Sequence, residues 1–216
     1  VKMNTILLRG TVASKIKFSH SSHGENFYEF RLKSERKSKK EDILICLVPE
    51  IILEKCSIIE HEKIEVQGEI RTINRKNHKH IYVFVQDAMC GGEVNSLPDV
   101  NEVKMDAHIC IQPNLRRTSA SNRRVCDVIA ASNRQYGSDY IPCIAWGRYA
   151  TYVSKCDVGT HLEIAGRLQS REYHKQMDDG TAAVKTAFEV SVSKVKEIGK
   201  ENPDEESNDS NTAEEV

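Results

Sequence analysis

The strongest constraint on the fold of this chain is an internal repeat with a spacing of about 100 residues. The segment Lys63–Arg71 (KIEVQGEIR) returns as His161–Gln169 (HLEIAGRLQ). Each copy follows a Lys-Cys pair and, before that, a strand pattern with a central cysteine, Cys46 in the first copy and Cys143 in the second. The spacing is too long for a solenoid repeat and matches the size of a small domain. The repeat therefore predicts two copies of one domain.

Both copies have the same predicted order of elements: three strands, a short helix and two more strands. β-Branched and aromatic residues in partial alternation indicate the strands, and Pro49 suits the first turn of the first helix. Five strands with a helix between the third and fourth are typical of an oligonucleotide-binding (OB) barrel. We therefore predict an all-β fold with short helices, made of two tandem five-stranded OB-fold barrels. The predicted boundaries are 1–88 for the first barrel, 89–102 for a linker, 103–198 for the second barrel and 199–216 for a disordered acidic tail.

Charge is unevenly distributed along the chain. The net charge is −1, but residues 199–216 contain seven acidic residues and one lysine, so this tail carries −6 and the remainder carries +5. A basic body with an acidic tail suits a nucleic-acid-binding protein. No apolar run approaches the roughly 18 residues of a membrane helix, and the first residues lack a signal segment. We therefore expect a cytoplasmic protein without a membrane partner.

Cysteines and histidines show no pattern of a metal or redox site. Seven cysteines and eight histidines are scattered without a Cys-x-x-Cys pair. Most cysteines lie within apolar strand patterns, which favours reduced cysteines that pack as small apolar side chains. No Ser-His-Asp order, Gly-rich phosphate loop or paired carboxylates stand out. We expect no metal, no cofactor and no enzymatic activity.

The second copy combines aromatic and cationic residues near its strand ends. A sequence-tolerant binder of single strands needs cations that follow the phosphates and aromatic faces for stacking, each stacked base contributing roughly 1–3 kcal/mol. Tyr140 and Trp146 have the same parity on one predicted strand, so their side chains share a sheet face. For each aromatic residue alone, a place in the core stays an open alternative. The candidate phosphate-binding residues are Arg116, Arg117, Arg123, Arg124, Arg134, Arg148, Arg167, Arg171 and Lys175.

This second copy resembles the bacterial single-stranded DNA-binding protein family, in particular variants from Gram-positive anaerobes. The resemblance covers about Val103 to Ile198 and depends on Asp139–Arg148 (DYIPCIAWGR), Gly166–Tyr173 (GRLQSREY) and the last strand, Thr186–Val195. Family members stack bases at the end of strand two, at both ends of strand three and in the loop after strand four. The resemblance therefore implies four stacking residues. They are Tyr136, Tyr140, Trp146 and Tyr173.

The first copy resembles the family only in outline. Ile43, Pro49 and Arg75 stand where the second copy has three of its aromatic residues. Cations remain, either as weak phosphate contacts or as a solvated loop face. We expect this copy to bind phosphates weakly or mainly to mediate assembly. Its candidates are Arg36, Lys37, Lys39, Lys40, Arg71, Arg75, Lys76 and Lys79.

The resemblance implies a bacterial, nucleoid-associated protein that binds single-stranded DNA with little sequence preference in replication, recombination or repair, with RNA left open as a ligand. Family assemblies usually have four barrels, so two barrels per chain imply a homodimer. The family's acidic tail ends in a Pro-Phe tip that recruits replication proteins, whereas this chain ends in Glu214-Glu215-Val216, which puts that recruitment in doubt. The alternative is an adaptor protein of a primosome or mobile-element replication complex with weak or no DNA binding.

Overall fold

The computed structural model describes residues 3–75, 78–119, 121–176 and 182–199. A 3₁₀ turn, Gly92–Ser96, separates the two halves. The first half contains β1 (Asn4–Val12), β2 (Lys17–Ser22), β3 (Glu25–Glu35), β4 (Glu41–Pro49), α1 (Glu50–Lys55), β5 (Lys63–Arg75) and β6 (His78–Cys90). The second half contains β7 (Val100–Ile109), β8 (Asn114–Arg117), β9 (Arg124–Arg134), β10 (Gly137–Trp146), α2 (Gly147–Val153), β11 (His161–Gln176) and β12 (Ala182–Glu197).

Each half closes into a five-stranded barrel. In the first, β1 pairs with both β3 and β5, which closes the order β1-β3-β4-β6-β5. In the second, β7 pairs with both β9 and β11, which closes the order β7-β9-β10-β12-β11. The third and fifth barrel strands pair in parallel, with Cys46 opposite Val83 and Cys143 opposite Val190. This arrangement confirms the predicted all-β fold with two OB barrels.

Alternating apolar residues of the strands fill the two barrels. On β10, the inward residues Ile141, Cys143 and Ala145 are buried, and on β4 the inward residues Leu44 and Cys46 are buried in the same way. Because side chains alternate across a strand, the residues between them lie on the outer face. The core therefore determines which side chains remain available for binding.

The repeated glycine lies at a bulge in the fourth barrel strand. The pairing register shifts at Gly68 in β5 and at Gly166 in β11. A Cβ on Gly68 would lie 2.0 Å from the carbonyl oxygen of Phe84, and a Cβ on Gly166 would lie 2.3 Å from that of Ser191. Only glycine allows the neighbouring strand to come this close, which gives the physical reason for the glycine in each copy.

The two barrels share one continuous sheet. Strands β1 and β7 pair antiparallel, with Asn4 opposite Met105 and Arg9 opposite Val100, so the sheet contains both barrels. Only residues 91–99 separate the last strand of the first barrel from the first strand of the second. The predicted linker, 89–102, therefore includes the last two residues of β6 and the first three of β7. Residues 100–102 lack an apolar pattern, but they pair with β1 as part of β7.

The cysteine prediction was wrong for one pair. Cys56, which follows α1, forms a disulfide with Cys90, the last residue of β6, and their Cα atoms are 5.8 Å apart. Cys46, Cys126 and Cys143 are buried, as expected for cysteines that pack as apolar side chains. Burial raises the pKa of the Cys126 thiol to about 11, which keeps this thiol protonated and unreactive.

Two short strands were not predicted. β2 pairs with β3 and β8 pairs with β9, so they occupy the two ends of the sheet. All four residues of β8 are exposed, and the residues of β2 are exposed or half-buried. The predicted disordered tail, apart from Gly199, lies outside the described residues.

Candidate nucleic-acid interface

Aromatic side chains lie on the outer surface of the second barrel. Tyr136, in the turn between β9 and β10, is 83% exposed, and Tyr140 is 48% exposed. Tyr173 on β11 is 36% exposed, and Trp146 at the end of β10 is half-buried. The inward residues of β10 fill the core instead, so the core alternative is excluded for Tyr140. All four predicted stacking residues have accessible ring surface.

A groove of about 810 Å³ lies between the two barrels and is lined by both (the first groove). Its barrel-1 wall comes from β3, β4 and the loop between them, and its barrel-2 wall comes from β10, β11 and β12. Five cations and two carboxylates line it, so its charge favours an anion. Of the four predicted stacking residues, only Trp146 lines this groove. The cations are Arg31, Arg36, Lys40, Arg167 and Arg171, and the carboxylates are Glu41 and Glu172.

Cations also lie beside three tyrosine rings. The Lys79 ammonium of the first barrel lies 5.9 Å from the ring centre of Tyr140 in the second. The Arg171 guanidinium lies 5.9 Å from the ring centre of Tyr173, and the Arg148 guanidinium lies 4.9 Å from that of Tyr149. Distances within about 6 Å permit cation–π attraction. The β5–β6 hairpin of the first barrel thus places a cation beside Tyr140, a predicted stacking residue of the second barrel.

A buried carboxylate joins the barrels beside the first groove (the first seam: Arg36, Asp42, Arg167 and Ser170). Asp42 on β4 is 0% exposed and accepts the backbone N–H of Ser170 on β11 at 2.8 Å. The Ser170 hydroxyl accepts the backbone N–H of Ile43 at 3.0 Å. Arg36 donates to Asp42 through two nitrogens. This bidentate pair and the hydrogen bonds compensate the buried charge.

The same arrangement recurs at the opposite contact between the barrels (the second seam: Glu69, Arg71, Thr72, Arg134 and Asp139). Asp139 on β10 is 1% exposed and accepts the backbone N–H of Thr72 at 2.7 Å. The Thr72 hydroxyl accepts the backbone N–H of Tyr140 at 3.1 Å. Arg71 pairs with both Glu69 and Asp139. The two seams are therefore related by approximate twofold symmetry, with one clear difference in charge.

Within the first seam, Arg167 does not form a bidentate pair with a carboxylate as Arg36 does. Its Nε is buried and has no hydrogen-bond partner among the described residues, while another nitrogen donates to Gln169 at 3.1 Å. Burial lowers the pKa of the Arg167 guanidinium, and the positive charge of Arg36 lowers it further. A buried donor without a partner is costly, so the first seam holds Arg167 in an unfavourable environment.

The structure separates the predicted phosphate-binding residues into paired and exposed groups. Arg36, Arg71 and Arg134 pair with the seam carboxylates, Arg116 pairs with Asp127 at 2.6 Å, and Lys39 pairs with Glu35 at 2.8 Å. Lys37, Lys40 and the remaining arginines of the β8–β9 hairpin are exposed. Lys76 lies outside the described residues, as do the side chains of Arg75 and Lys175. The exposed hairpin arginines are Arg117, Arg123 and Arg124.

Sequence reasoning missed an aromatic cluster on the first barrel. His20 of β2 stacks on Phe27 of β3 at 5.1 Å between ring centres, and Phe27 lies 6.2 Å from Phe84 of β6. The Arg71 guanidinium lies 6.0 Å from the Phe84 ring centre. These rings do not occupy positions equivalent to the stacking residues of the second copy, so comparing equivalent positions did not find them. The three rings lie on three different strands, so no local pattern in the sequence relates them.

Residues 3–75, 78–119, 121–176 and 182–199 contain neither a candidate metal cluster nor a candidate membrane-spanning helix. No three His, Cys, Asp or Glu side chains in these ranges are grouped closely enough to hold a metal ion. No helix there is both long and apolar enough to cross a membrane.

Comparison with known proteins identifies relatives of the second barrel and of the whole fold. Residues 100–198 match the model of the single-strand binding protein family. The whole chain superposes on a deletion mutant of the single-stranded DNA binding protein from Thermus aquaticus with a TM-score of 0.73 and 16% identity, covering 94% of this chain and 97% of that one. For the wild-type Thermus aquaticus protein, the TM-score is 0.72 and the identity 15%, over 93% and 95% of the chains.

A third solved structure is the dimeric N-terminal domain of PriB protein from Thermoanaerobacter tencongensis, with a TM-score of 0.39 and 30% identity over 42% of this chain and 98% of that one. No curated protein matches the sequence. Residues 100–198 of this chain are thus similar to the single-strand binding protein family, and the chain as a whole has the two-barrel fold of the Thermus aquaticus protein.

Proposed function

We propose that this protein binds single-stranded DNA with little sequence preference and has no chemistry of its own. The observation that carries the proposal is the first groove, in which cations of both barrels surround Trp146. Cations can follow the phosphates while an aromatic ring stacks against an unpaired base of any identity. The family match of residues 100–198 supports the same conclusion, and replication, recombination or repair is the setting in which we expect it to act.

The proposal gives both barrels a part in binding. Trp146 and Arg171 of the second barrel face Arg31 and Lys40 of the first across the same groove. Tyr140 and Tyr173 lie outside that groove, each beside a cation, and would extend the stacking surface along the outer face of the second barrel. The first barrel then supplies phosphate contacts that depend on how the two barrels pack.

Titration of the intrinsic fluorescence with oligo-dT tests the proposal. Trp146 is the only tryptophan of the chain, so stacking of a base on its ring should quench the tryptophan fluorescence. Affinity should fall steeply as salt rises, because phosphate contacts release counterions. A parallel titration with an RNA oligomer determines whether DNA is preferred, since the 2′-hydroxyl distinguishes the two. Absence of quenching and of binding at low salt would instead favour the adaptor function.

A double substitution locates the stacking surface. Trp146→Ala with Tyr173→Ala should weaken binding by roughly 2–6 kcal/mol in total, because each stacked base contributes roughly 1–3 kcal/mol. The comparison variant is Tyr82→Ala with Phe84→Ala in the first barrel, which should have a much smaller effect, because neither residue lines the first groove. Fluorescence anisotropy of a labelled oligo-dT measures both variants, since the first lacks the tryptophan. Equal losses in the two variants would place stacking on both barrels.

We also propose a homodimer, which would bring four barrels into one assembly. Light scattering behind size-exclusion chromatography gives the molar mass, which should be twice the 24.5 kDa of one chain. A mass of one chain would contradict the dimer and leave the proposed DNA binding unaffected.

A further inference from the structure

The two seams differ at one position of the repeat. Arg167 in β11 corresponds to Glu69 in β5, since both directly follow the bulge glycine. In the second seam, the guanidinium groups of Arg71 and Arg134 face two carboxylates, Glu69 and Asp139, so the charges balance. In the first seam, Asp42 forms its ion pair with Arg36, and Arg167 adds a second guanidinium, which donates to the neutral Gln169. The first seam therefore carries a surplus positive charge that its symmetry mate lacks.

The surplus charge lies at a junction of two surface depressions. Arg36 and Arg167 line the first groove and also line a neighbouring groove of about 680 Å³ (the second groove). Carboxylates outnumber cations in the second groove, the reverse of the first. A single strand that follows the first groove therefore reaches Arg36 and Arg167 at the border with the second groove. Beyond that border, cations no longer outnumber carboxylates, so the charge no longer favours a polyanion.

We propose that Arg167 and Arg36 form a phosphate clamp across the first seam, through which a bound single strand passes from one barrel to the other. The clamp depends on the proposed function and specifies where the phosphate chain crosses between the barrels. The Arg167 side chain lines both grooves, and its guanidinium donates to a phosphate oxygen there. Arg36 is oriented by its bidentate pair with Asp42 and presents its remaining N–H groups. The second seam, whose charges are already balanced, does not hold a phosphate.

Arginine geometry matters for this clamp as much as charge does. A guanidinium presents a planar fork of donors to a phosphate, whereas a lysine ammonium offers only a point charge. Arg167→Gln removes the charge and the fork, and Arg167→Lys keeps the charge but removes the fork. Lys155→Gln removes one positive charge at an exposed position after α2 that lines neither groove, so it controls for the general loss of charge.

The test measures Trp146 quenching by oligo-dT of roughly 30 nucleotides, enough for two barrels, at several salt concentrations for the four proteins. Arg167→Gln should weaken binding about tenfold and reduce the slope of log K against log salt by about 0.7, the contribution of one phosphate contact on a single strand. Arg167→Lys should keep the wild-type slope and lose part of the affinity. Lys155→Gln should change neither the affinity nor the salt slope by more than a small fraction.

The outcomes separate the clamp from the proposed function. If the wild-type protein binds and Arg167→Gln behaves like Lys155→Gln, the clamp is wrong and the DNA binding stands. If Arg167→Lys loses as much slope as Arg167→Gln, the loss comes from altered folding rather than from the missing charge, which also overturns the clamp. A wild-type protein that does not bind oligo-dT overturns both. Thermal unfolding of each variant verifies that the fold is retained.

Discussion

At the scale of single residues, the bulge glycines place the strictest demand on the sequence. The absent side chain of Gly166 lets the carbonyl oxygen of Ser191 lie where a Cβ would be 2.3 Å away. That oxygen belongs to a paired backbone, so it cannot move without disturbing the β11–β12 ladder. Glycine at this position is therefore required by packing rather than by turn conformation.

We expect Gly166→Ala to destabilise the protein by about 1–3 kcal/mol, the usual cost of forcing an extra methyl group into a packed site. Chemical denaturation measures the change in the free energy of unfolding. Gly91→Ala is the informative control, because a Cβ there meets no atom within 4 Å and its cost comes only from the positive φ of 71°. A loss in Gly166→Ala no larger than that control would show that the strands separate easily at the bulge.

Residue roles were predictable where they depend on one strand and not where they depend on two barrels. Alternation along β10 correctly placed Tyr140 on the outer face, because the inward positions hold Ile141 and Cys143. Asp139 belongs to the motif that carries the family resemblance, but its role as a buried acceptor became visible only with Thr72 beside it. The two residues are 67 positions apart in the sequence, and no local pattern relates them.

At the scale of elements, strand prediction succeeded where a core face exists. Strands β1, β7 and β9 alternate between buried and more exposed positions, and this alternation was visible in the sequence. Strand β8 buries none of its four residues, and β2 is exposed or half-buried throughout, so neither carries a hydrophobic pattern. They form because the hairpin backbone continues the ladder of β9 and β3.

The disulfide shows a second limit at the same scale. Cys56 and Cys90 are 34 residues apart, and the odd number of scattered cysteines offered no pairing pattern. The bond connects the end of α1 to the end of β6 and encloses the β5–β6 hairpin. A closed loop of this size restricts the unfolded chain, which by loop entropy stabilises the fold by about 4 kcal/mol. The stabilisation acts on the first barrel, since both cysteines belong to it.

At the scale of the whole molecule, the repeat predicted two barrels but not that they pack together in one continuous sheet. A linker was expected between them, whereas β1 and β7 pair directly and the seam carboxylates Asp42 and Asp139 are buried between the barrels. The pairing of two first strands uses backbone groups, which any sequence provides, so composition did not reveal it. The first groove is lined by both barrels and depends on this packing, so it could not be found from either copy alone.

Because the barrels share a sheet and two buried seams, we expect them to unfold together. Calorimetry should show one transition whose calorimetric and van't Hoff enthalpies agree. Reduction of the Cys56–Cys90 disulfide should lower the temperature of that single transition by roughly 10 °C, since about 4 kcal/mol is lost by the molecule as a unit. A variant with Cys56→Ser and Cys90→Ser, which has no disulfide to reduce, controls for other effects of the reductant. Two transitions, of which reduction shifts only one, would mean that the barrels unfold independently. The shared sheet would then couple the barrels too weakly to maintain the first groove between them.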